Sequence, residues 1–462
     1  MTGFLIEISG KGKIRFLYTA GEQIFKNGEQ IIYVYGLSDQ FALSREERID
    51  WSHLRHEMKG TFTAVSLTED FCHSQIIQSV LGGNKPLYYM EHESNFSVFT
   101  SLKLLSLLSY RCCFQENHDI LCEFIYNGFI RSRDTLLKGI YKLLPEEYLE
   151  VGDGGITVKR FSRVTEKQGS VDLHQMYARE KCIIDSYIDL AVSQKGTIGI
   201  ALSGGYDSSF IYHCVQNKKL PVHVCSVGGS RGLDETNIAR LQYEHAGVGF
   251  FHQSYVDSDI RRHLKKIAEI YEGNLYERGV FLQYALAVLL KKHGISHVLL
   301  GECADQVFNQ HFYEIKELEY LTNYIDHPYE LGTMVVLKKS VLMLDYFGIT
   351  GLYPYTDPRM LQLGAETMKE NATSKAMHKQ MCTSFLNEYV TQLIGKNPGT
   401  TSPCALFEDT AEEKAFMDYV KAENPFYDPA FRISYKYGPT ESELDYYLCL
   451  EYISSFRKIF CG

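Results

Sequence analysis

The sequence predicts an α/β protein of two domains, an antiparallel β-rich domain at 1–165 and a parallel-sheet domain with a helical C-terminal part at 166–462. Short runs rich in β-branched and aromatic residues fill about the first 160 residues. Apolar runs then alternate with helical patterns, which is typical of a parallel sheet covered on both faces. The polar stretch RVTEKQGSVDLHQ separates the two patterns and marks the predicted boundary.

The individual elements follow from local pattern and composition. In the first domain, strands are predicted between Gly, Asn and Asp turn signals at QIIYVYGL, GTFTAVSL, SQIIQSVL and NFSVFTSL. In the second, helical patterns cover Met176–Ser193, SSFIYHCVQ, Glu235–Ala246 and 279–293. The apolar runs GTIGIALSGG, PVHVCSVGG and HVLLGE predict buried parallel strands. Beyond about residue 310 the pattern is mostly helical, and the late aromatic stretch KYGPTESELDYYLCLEYISSFRKIF is expected to pack in a core.

Composition narrows the function classes. Lys plus Arg is 47 and Asp plus Glu is 57, so the net charge of −10 argues against nucleic acid as the main partner. The 12 cysteines include no C-x-x-C pair, and the N-terminus lacks a signal-peptide pattern, so we expect a cytoplasmic protein with reduced thiols. Apolar stretches reach about ten residues, whereas a spanning helix needs about 20, so no membrane partner is expected. The 16 histidines show no paired metal spacing.

The segment IGIALSGGYDSSF is the most informative, because a predicted buried strand runs into a glycine turn and a helix then begins. Gly204 and Gly205 let the backbone approach an anion closely, and the helix N-terminus offers unpaired N–H groups. Ser203 and Ser208 add hydroxyl donors, and Asp207 can hold Mg²⁺, which prefers oxygen ligands. The alternative is an ordinary turn in which Asp207 or Ser208 caps the helix.

This string resembles the pyrophosphate-binding loop of the ATP pyrophosphatase superfamily, whose members cleave ATP between its α and β phosphates to adenylate a carboxylate or carbonyl. Three further stretches resemble, in order, the asparagine synthetase superfamily. Leu81–Leu105 contains a KPLYY strand, His297–Phe308 is similar to L-S-G-E-G-x-D-E-x-F, and Phe347–Gly364 to G-x-x-x-R-x-P-F-x-D. The resemblance implies an Ntn-type, amidotransferase-like first domain and an adenine-nucleotide α-hydrolase-like synthetase domain that uses ATP and Mg²⁺.

The resemblance also assigns individual residues. Asp207 and Asp305 are expected to bind the metal ion, Gly301 and Val227 to lie in the nucleotide site, and Glu302 to lie near the acceptor or act as general base. The chemistry of the residues supports the metal site, because a strand end places carboxylates at the edge where open α/β sheets bind ligands. Two carboxylates that converge on phosphates provide the ligands that magnesium needs. For Glu302, the alternative is a solvated acid at a strand end.

Two segments offer a basic residue that could stabilise the transition state. Lys396, in IGKNPGTTSP, resembles the lysine loop of β-lactam synthetases, and a cation near the α-phosphate is the expected electrostatic device. Lys375 and Lys379, in SKAMHKQ, resemble the K-x-x-L-R element, whose basic residues contact phosphates. For any one of these lysines, the alternative is a solvated surface charge. Cys303, where the motif has Gly, is expected to be a small buried residue rather than a reactive thiol.

The chain also departs from asparagine synthetases. Glutamine-dependent members carry Cys at position 2, whereas this chain has Thr2, and an R-G-P-D-like glutamine-binding segment is not evident. A thiol is much the better nucleophile near neutral pH, so we expect a first domain without glutaminase activity. The β-lactam synthetases and the lasso peptide cyclases share this loss. In both, an amine of the substrate attacks the adenylate, which replaces a bimolecular step with an intramolecular one.

These features predict an ATP-dependent ligase that forms AMP and pyrophosphate and closes a macrolactam, as a lasso peptide cyclase does. Its substrate would be a peptide or amino-acid-derived carboxylate, and a precursor-processing protease or leader-binding protein could be its partner. The alternatives are a small-molecule ligase resembling β-lactam synthetases, an ammonia-dependent asparagine synthetase and a non-catalytic nucleotide-binding protein. The intact Ser203, Asp207 and Asp305 speak against the last of these.

Overall fold

The computed structural model describes most of the chain. The described residues are 3–9, 13–27, 30–36, 51, 61–68, 74–78, 85–93, 95–108, 114–145, 147–152, 155–161, 171–228, 235–256, 261–277, 279–308, 337–367, 374–396, 410–428 and 443–461. They form two compact units. The first comprises Met1–Arg163, Arg261–Glu277 and Thr410–Gly462, and the second comprises Val164–Ile260 and Arg278–Asp409. The domain boundaries at 1–165 and 166–462 stay a prediction, and the grouping of two later segments with the first unit is a feature that the sequence did not suggest.

The described strands are, in chain order, β1 (Gly3–Ser9), β2 (Ile14–Ala20), β3 (Glu22–Asn27), β4 (Gln30–Gly36), β5 (Phe62–Thr68), β6 (Ser74–Gln78), β7 (Tyr88–His92), β8 (Asn95–Phe99), β9 (Tyr141–Lys142), β10 (Glu147–Gly152), β11 (Gly155–Arg160), β12 (Thr197–Ala201), β13 (His223–Gly228), β14 (Phe250–Tyr255), β15 (Ile295–Leu299) and β16 (Thr350–Leu352).

The described helices are, in chain order, α1 (His118–Asn127), α2 (Leu173–Ser193), α3 (Tyr206–Lys218), α4 (Glu235–Ala246), α5 (Arg261–Tyr271), α6 (Val280–Lys292), α7 (Ala304–Phe308), α8 (Lys338–Tyr346), α9 (Pro358–Thr367), α10 (Ser374–Thr383), α11 (Glu388–Lys396), α12 (Thr410–Glu423) and α13 (Glu443–Phe460). Short 3-10 helices cover Leu102–Leu107 and Pro354–Thr356.

The first unit contains two antiparallel sheets, with strand orders β2-β1-β8-β7-β9 and β11-β10-β6-β5-β4-β3. A core lies between them, in which alternate residues of β1, such as Phe4 and Ile6, pack in one cluster with Val65, Ile76 and Val151 of the other sheet. The second sheet has a further buried cluster of its own, which includes residues of β4 and β5 such as Val34 and Phe62. Because β5 contributes to both clusters, its residues are buried almost without interruption.

Helix α13 completes the first unit, and it contains much of the late aromatic stretch. Tyr452 is fully buried, its hydroxyl accepts a hydrogen bond from the backbone N–H of Gly273 at 3.2 Å, and its ring stacks on Phe124 at 5.8 Å. The buried positions of α13 agree with the expectation that this stretch packs in a core.

The second unit is built around a parallel sheet with strand order β14-β13-β12-β15-β16. The chain runs outward from β12 to β14 and then returns to the other side of β12 with β15 and β16. The strand order therefore reverses between β12 and β15, and the loops that follow these two strands flank the crevice where open α/β sheets bind ligands. The predicted fold class, an antiparallel β-rich region followed by a parallel-sheet α/β region, is confirmed.

Element boundaries differ from the sequence predictions in ways that have local causes. Helix α2 begins at Leu173 rather than Met176, because Asp172 and Gln175 form a reciprocal capping box. Strand β14 was missed because it is a half-buried edge strand, and β16 because it has three residues. In the part of the chain that the structure describes, every helix is too short or too polar to cross a membrane.

Candidate functional site

The glycine loop after β12 has a backbone shape that its sequence dictates. Gly204 has a φ of +88°, a conformation that side chains other than glycine rarely adopt. The N-cap residue of α3 is Gly205, which makes no side-chain capping bond. The Ser203 and Ser208 hydroxyls lie 3.0 Å apart, and the Ser208 hydroxyl also accepts from the backbone N–H of Ser203 at 3.2 Å. The loop is thus braced from within, and the start of α3 carries no side-chain cap, as an anion site requires.

The loop after β15 packs directly against this glycine loop. A Cβ atom at Gly301 would lie 3.0 Å from the backbone nitrogen of Ser208 and 3.3 Å from the Cβ of Asp207. Glycine is therefore needed at position 301 to let the two loops approach each other. This contact sets the spacing between Asp207, in the first turn of α3, and Asp305, in the first turn of α7.

Lys375 joins these two carboxylates. Its Nζ lies 2.5 Å from Oδ1 of Asp207 and 2.8 Å from Oδ1 of Asp305. The Lys375 side chain is 9% exposed, and those of Asp207 and Asp305 are 22% and 56% exposed. Although burial alone would disfavour the ammonium, the two carboxylates outweigh it and raise the pKa of Lys375 above its ordinary value. The structure thus brings together three of the predicted site residues from three separate elements.

The arrangement of Asp207 and Asp305 suits a small divalent cation. Both carboxylates reach a single ammonium nitrogen, so the same oxygens can close on one ion placed between them. Mg²⁺ takes one or two carboxylates together with phosphate and water oxygens, which fits this donor set. Among the described residues there is no group of three or more His, Cys, Asp or Glu side chains that could hold a metal ion without such additional ligands.

A buried histidine extends the site away from the loops. His378, on α10, lies with Nε2 3.0 Å from Oδ1 of Asp207 and with Nδ1 3.1 Å from Oε2 of Glu180 on α2. The side chains of His378 and Glu180 are fully buried. Burial alone would lower the pKa of His378, but the carboxylates, Glu180 foremost, raise it well above its ordinary value. Correspondingly, Lys375 and His378 overcome the effect of burial and hold the pKa of the Asp207 carboxyl below its usual range.

Tyr355 closes this network from the segment that resembles G-x-x-x-R-x-P-F-x-D. Its hydroxyl lies 3.0 Å from Oε1 of Glu180 and 3.2 Å from the backbone carbonyl oxygen of Asp207. Sequence reasoning missed Glu180, His378 and Tyr355, which are far apart in the chain. One signal was available, because His378 stands where the K-x-x-L-R element has leucine, and a histidine at an apolar position calls for a polar partner.

The remaining predicted residues lie in different surroundings. Glu302 is partly buried and accepts a hydrogen bond from Nε2 of Gln283 at 2.7 Å. Val227 is partly buried near the carboxyl end of β13, the strand next to β12. Cys303 is 5% exposed, has a φ of +72°, and burial raises the pKa of its thiol. A buried thiol of this kind is a poor nucleophile.

Two of the predicted positions lie outside the described side chains, and a third is exposed. Helix α11 ends at Lys396, whose side chain lies outside the described residues together with 397–403, so its role stays a prediction. Thr2 also lies outside them. Lys379, the rival to Lys375 on α10, is exposed. Helix α11 itself packs through Val390 and Ile394 in a cluster that includes Tyr206, the residue before Asp207.

Comparison with known proteins places this site within one family. Residues 185–401 match the family model described as asparagine synthase. Asparagine synthetase [glutamine-hydrolyzing] 1 of Bacillus subtilis (strain 168) is 24% identical over 228 residues, which are 49% of this chain and 36% of that protein. The chain thus matches about a third of the length of this curated relative.

Several solved structures are also similar, at low identity. The U34-tRNA thiolase of Methanococcus maripaludis has a TM-score of 0.28 and 13% identity, over 64% of this chain and 89% of that chain. The NMN synthetase of Francisella tularensis has a TM-score of 0.23 and 12% identity, over 49% of this chain and 92% of that chain. The glycine loop, Gly301, Asp305 and Lys375 all fall within the segment that matches the family model. The chain therefore carries an asparagine synthase domain at 185–401.

Proposed function

We propose that this chain is an ATP-dependent ligase that adenylates a carboxylate and then forms an amide bond, with release of pyrophosphate and AMP. The observation that carries the proposal is the convergence of Asp207, Asp305 and Lys375 beside the glycine loop, at the point where the strand order of the parallel sheet reverses. The family model that matches 185–401 supports the same chemistry.

Each element at this point has a part in holding ATP. The backbone N–H groups of Gly204, Gly205 and the first turn of α3 would donate to the pyrophosphate oxygens, and the helix dipole favours that negative charge. Asp207 and Asp305 would hold Mg²⁺, which neutralises the charge that develops on the leaving pyrophosphate. Asp305, one of the two carboxylate partners of Lys375, is more than half exposed. Because the lysine side chain is long and flexible, Lys375 could exchange these carboxylates for a phosphate oxygen.

The reaction follows two displacements. A carboxylate oxygen of the substrate attacks the α-phosphorus, and the bond between that phosphorus and the bridging oxygen breaks as pyrophosphate leaves. An amine then attacks the carbonyl carbon of the adenylate, and AMP leaves with the former carboxylate oxygen. The amine must lose a proton in this second step, and we assign its acceptance to Glu302, which Gln283 orients through a 2.7 Å hydrogen bond. Lys396 is proposed as the cation that stabilises the transition state.

We further propose that the attacking amine belongs to the same substrate, so that the product is a macrolactam of the lasso peptide type. The absence of an R-G-P-D-like segment from the sequence supports an amine source other than glutamine. An amine already held beside the adenylate gains from the high effective concentration of an intramolecular reaction. A peptide substrate of this kind would come from a precursor, so a processing protease or a leader-binding protein is the proposed partner.

Two specific observations favour alternative functions, and the experiment described below distinguishes them. The match to asparagine synthase, with Glu302 kept in its G-E-x-x-D motif, favours ammonia-dependent synthesis of asparagine. The IGKNPGTTSP segment favours a small-molecule ligase that resembles β-lactam synthetases.

The test is pyrophosphate release from ATP and Mg²⁺ by the full chain, offered a linear peptide with an internal Asp or Glu, or aspartate with ammonia. We expect release with the peptide, a product lighter by one water, and a loss of about 100-fold or more for Asp207→Ala. Lys195→Ala, at an exposed lysine just before β12, is the control and should keep full activity. Asparagine formation at a higher rate would replace the lactam proposal. Pyrophosphate release that Asp207→Ala leaves unchanged would place the chemistry elsewhere.

A further inference from the structure

The network behind the glycine loop contains a buried histidine, His378, that the proposed chemistry does not itself use. His378 contacts a carboxylate through each of its ring nitrogens, Glu180 on one side and Asp207 on the other. The ring is therefore held at both of its nitrogens by side chains from two other helices, α2 and α3. A polar ring that is fully buried needs such partners on both sides.

We propose that His378 is a positioning residue for Asp207: with Glu180, it holds the Asp207 carboxylate at the glycine loop while Lys375 exchanges that carboxylate for a nucleotide phosphate. The inference rests on the proposed function, since it concerns how the same site receives ATP and Mg²⁺. It adds a role for two residues, Glu180 and His378, that contact neither the loop backbone nor the strand-end carboxylate Asp305 in the described contacts.

The two basic partners of Asp207 differ in how firmly they are held, although both contact Oδ1. His378 is fixed at both ends, and the Phe308 ring lies parallel to it at 5.0 Å and 13°. Lys375 has a flexible four-carbon stem, and its second partner, Asp305, is 56% exposed. His378 is therefore the fixed partner of Asp207, and Lys375 is the exchangeable one.

This division of roles explains why Asp207 needs a second partner besides Lys375. If Lys375 turns toward a phosphate, Asp207 loses its contact at 2.5 Å but keeps the contact with His378 at 3.0 Å. Without His378, the same movement would remove both of these contacts from the Asp207 carboxylate. That carboxylate would then be less firmly fixed at the glycine loop, where it is proposed to hold the metal ion.

A positioning role and a merely structural role of His378 predict different behaviour when Glu180 is replaced together with His378. Glu180 and His378 form a buried pair, and replacing both members of such a pair with apolar residues often restores stability. The double variant Glu180→Leu with His378→Leu should therefore recover the stability that His378→Leu alone loses. It should not recover nucleotide binding, because Asp207 still lacks its fixed partner. His378→Gln, which keeps an N–H donor toward Asp207, should bind nucleotide more tightly than the double variant.

The experiment measures the affinity of the full chain for α,β-methylene-ATP with Mg²⁺ by calorimetry, with thermal unfolding of each variant alongside. We expect an affinity about 10- to 100-fold weaker in both His378→Leu and the double variant, which is the usual effect of removing a residue that orients a metal ligand. His297→Leu, at a buried histidine in the middle of β15, is the matched control and should bind as the wild type does.

The outcomes separate the two proposals. If the wild type binds the analogue and the double variant binds it equally well, His378 has a structural role and this inference alone is overturned. If the wild type does not bind the analogue, the proposed function and this inference fall together. If His378→Leu does not fold, the double variant and His378→Gln give the decision, because the first removes the Glu180 carboxyl together with its partner and the second keeps an N–H donor at position 378.

Discussion

Buried or half-buried histidines lie at both ends of the parallel strands: at the carboxyl edge of the sheet, where the strands end, and at the amino edge, where they begin. The two groups of histidines differ in the side chains that they contact. At the carboxyl edge, His378 lies between Glu180 and Asp207. At the amino edge, where β13 and β14 begin, Nδ1 of His223 lies 2.8 Å from Nε2 of His252, and the rings of His252 and His293 stack at 3.7 Å. Histidines thus meet carboxylates at one edge and other histidines at the other.

Because of this difference, the protein shifts the pKa of the histidines in opposite directions at the two edges. Burial, assisted by the neighbouring His293, lowers the pKa of His223 and of His252. Burial acts in the same direction on His378, but its carboxylate partners overcome it. Burial alone therefore does not decide whether a histidine is charged. The pKa of His378 is thus raised at the carboxyl edge, where an anionic ligand is proposed to bind, and the pKa values of His223 and His252 are lowered at the amino edge.

The largest expected effect is on the ion pair of the carboxyl edge. Glu180→Ala should lower the free energy of unfolding by about 3–5 kcal/mol, because it removes one partner of a fully buried pair and leaves the charge of His378 less compensated. Denaturant unfolding measures this loss. Asp189→Ala is the control on the same helix, since Asp189 is 68% exposed in its pair with Lys218, and it should change stability by less than about 1 kcal/mol. Equal losses in the two variants would contradict the comparison.

A pair of glycines tests whether the loops at the carboxyl edge are the more closely packed. Gly301→Ala would bring a Cβ within 3.0 Å of the Ser208 backbone nitrogen, so we expect a loss of about 1–3 kcal/mol together with weaker binding of ATP. At the amino edge, Gly294 has a φ of +67°, and a Cβ added there would meet open space. Gly294→Ala should lose about 1–2 kcal/mol through backbone strain alone and keep its affinity for ATP. Unfolding and nucleotide titration of both variants measure the contrast.

A third prediction concerns the residue that replaces glycine in the carboxyl-edge motif. Cys303 has a φ of +72° and is buried. Cys303→Gly should relieve backbone strain, which stabilises the fold, but it also removes a buried side chain, which destabilises it. We expect that variant to change the free energy of unfolding by less than about 1 kcal/mol. Cys303→Val, with a β-branched side chain in the same backbone conformation, should be less stable than the wild type by about 2 kcal/mol. If valine is tolerated as well as glycine, the backbone at position 303 is not constrained.

The smallest expected effect is the pH dependence of the amino edge. The pKa values of His223 and His252 are lowered in the folded protein, so the unfolded chain binds protons first as pH falls. Their contribution to stability is therefore complete above the unfolded value of about 6.5 and is lost as pH falls below it. His252→Gln should flatten the decline of stability between about pH 6.5 and 5. A decline as steep as that of the wild type would assign it to other groups.

Much of the carboxyl edge could be predicted from sequence because its signals are local. The order of strand, Ser203, two glycines, Asp207 and helix lies within one continuous segment, and the Glu302–Asp305 motif lies within another. Strand β12 and helix α4 follow their predicted patterns, and the fold class follows from their alternation. Lys375 was predicted as one of several candidate site lysines. Only the structure shows that it contacts both Asp207 and Asp305, because these residues are far from it in the sequence.

The amino-acid sequence by itself determined most of the strands and helices around the site, where the glycine loop lies and which family model residues 185–401 match, because each of these depends on residues close together in the chain. Tertiary structure decided what surrounds the site. Glu180, Asp207 and His378 are separated by 27 and 171 residues along the chain, and the packing of α2, α3 and α10 on the sheet brings them into contact. The charge of a buried histidine depends on which side chains reach it, and that is a property of packing alone.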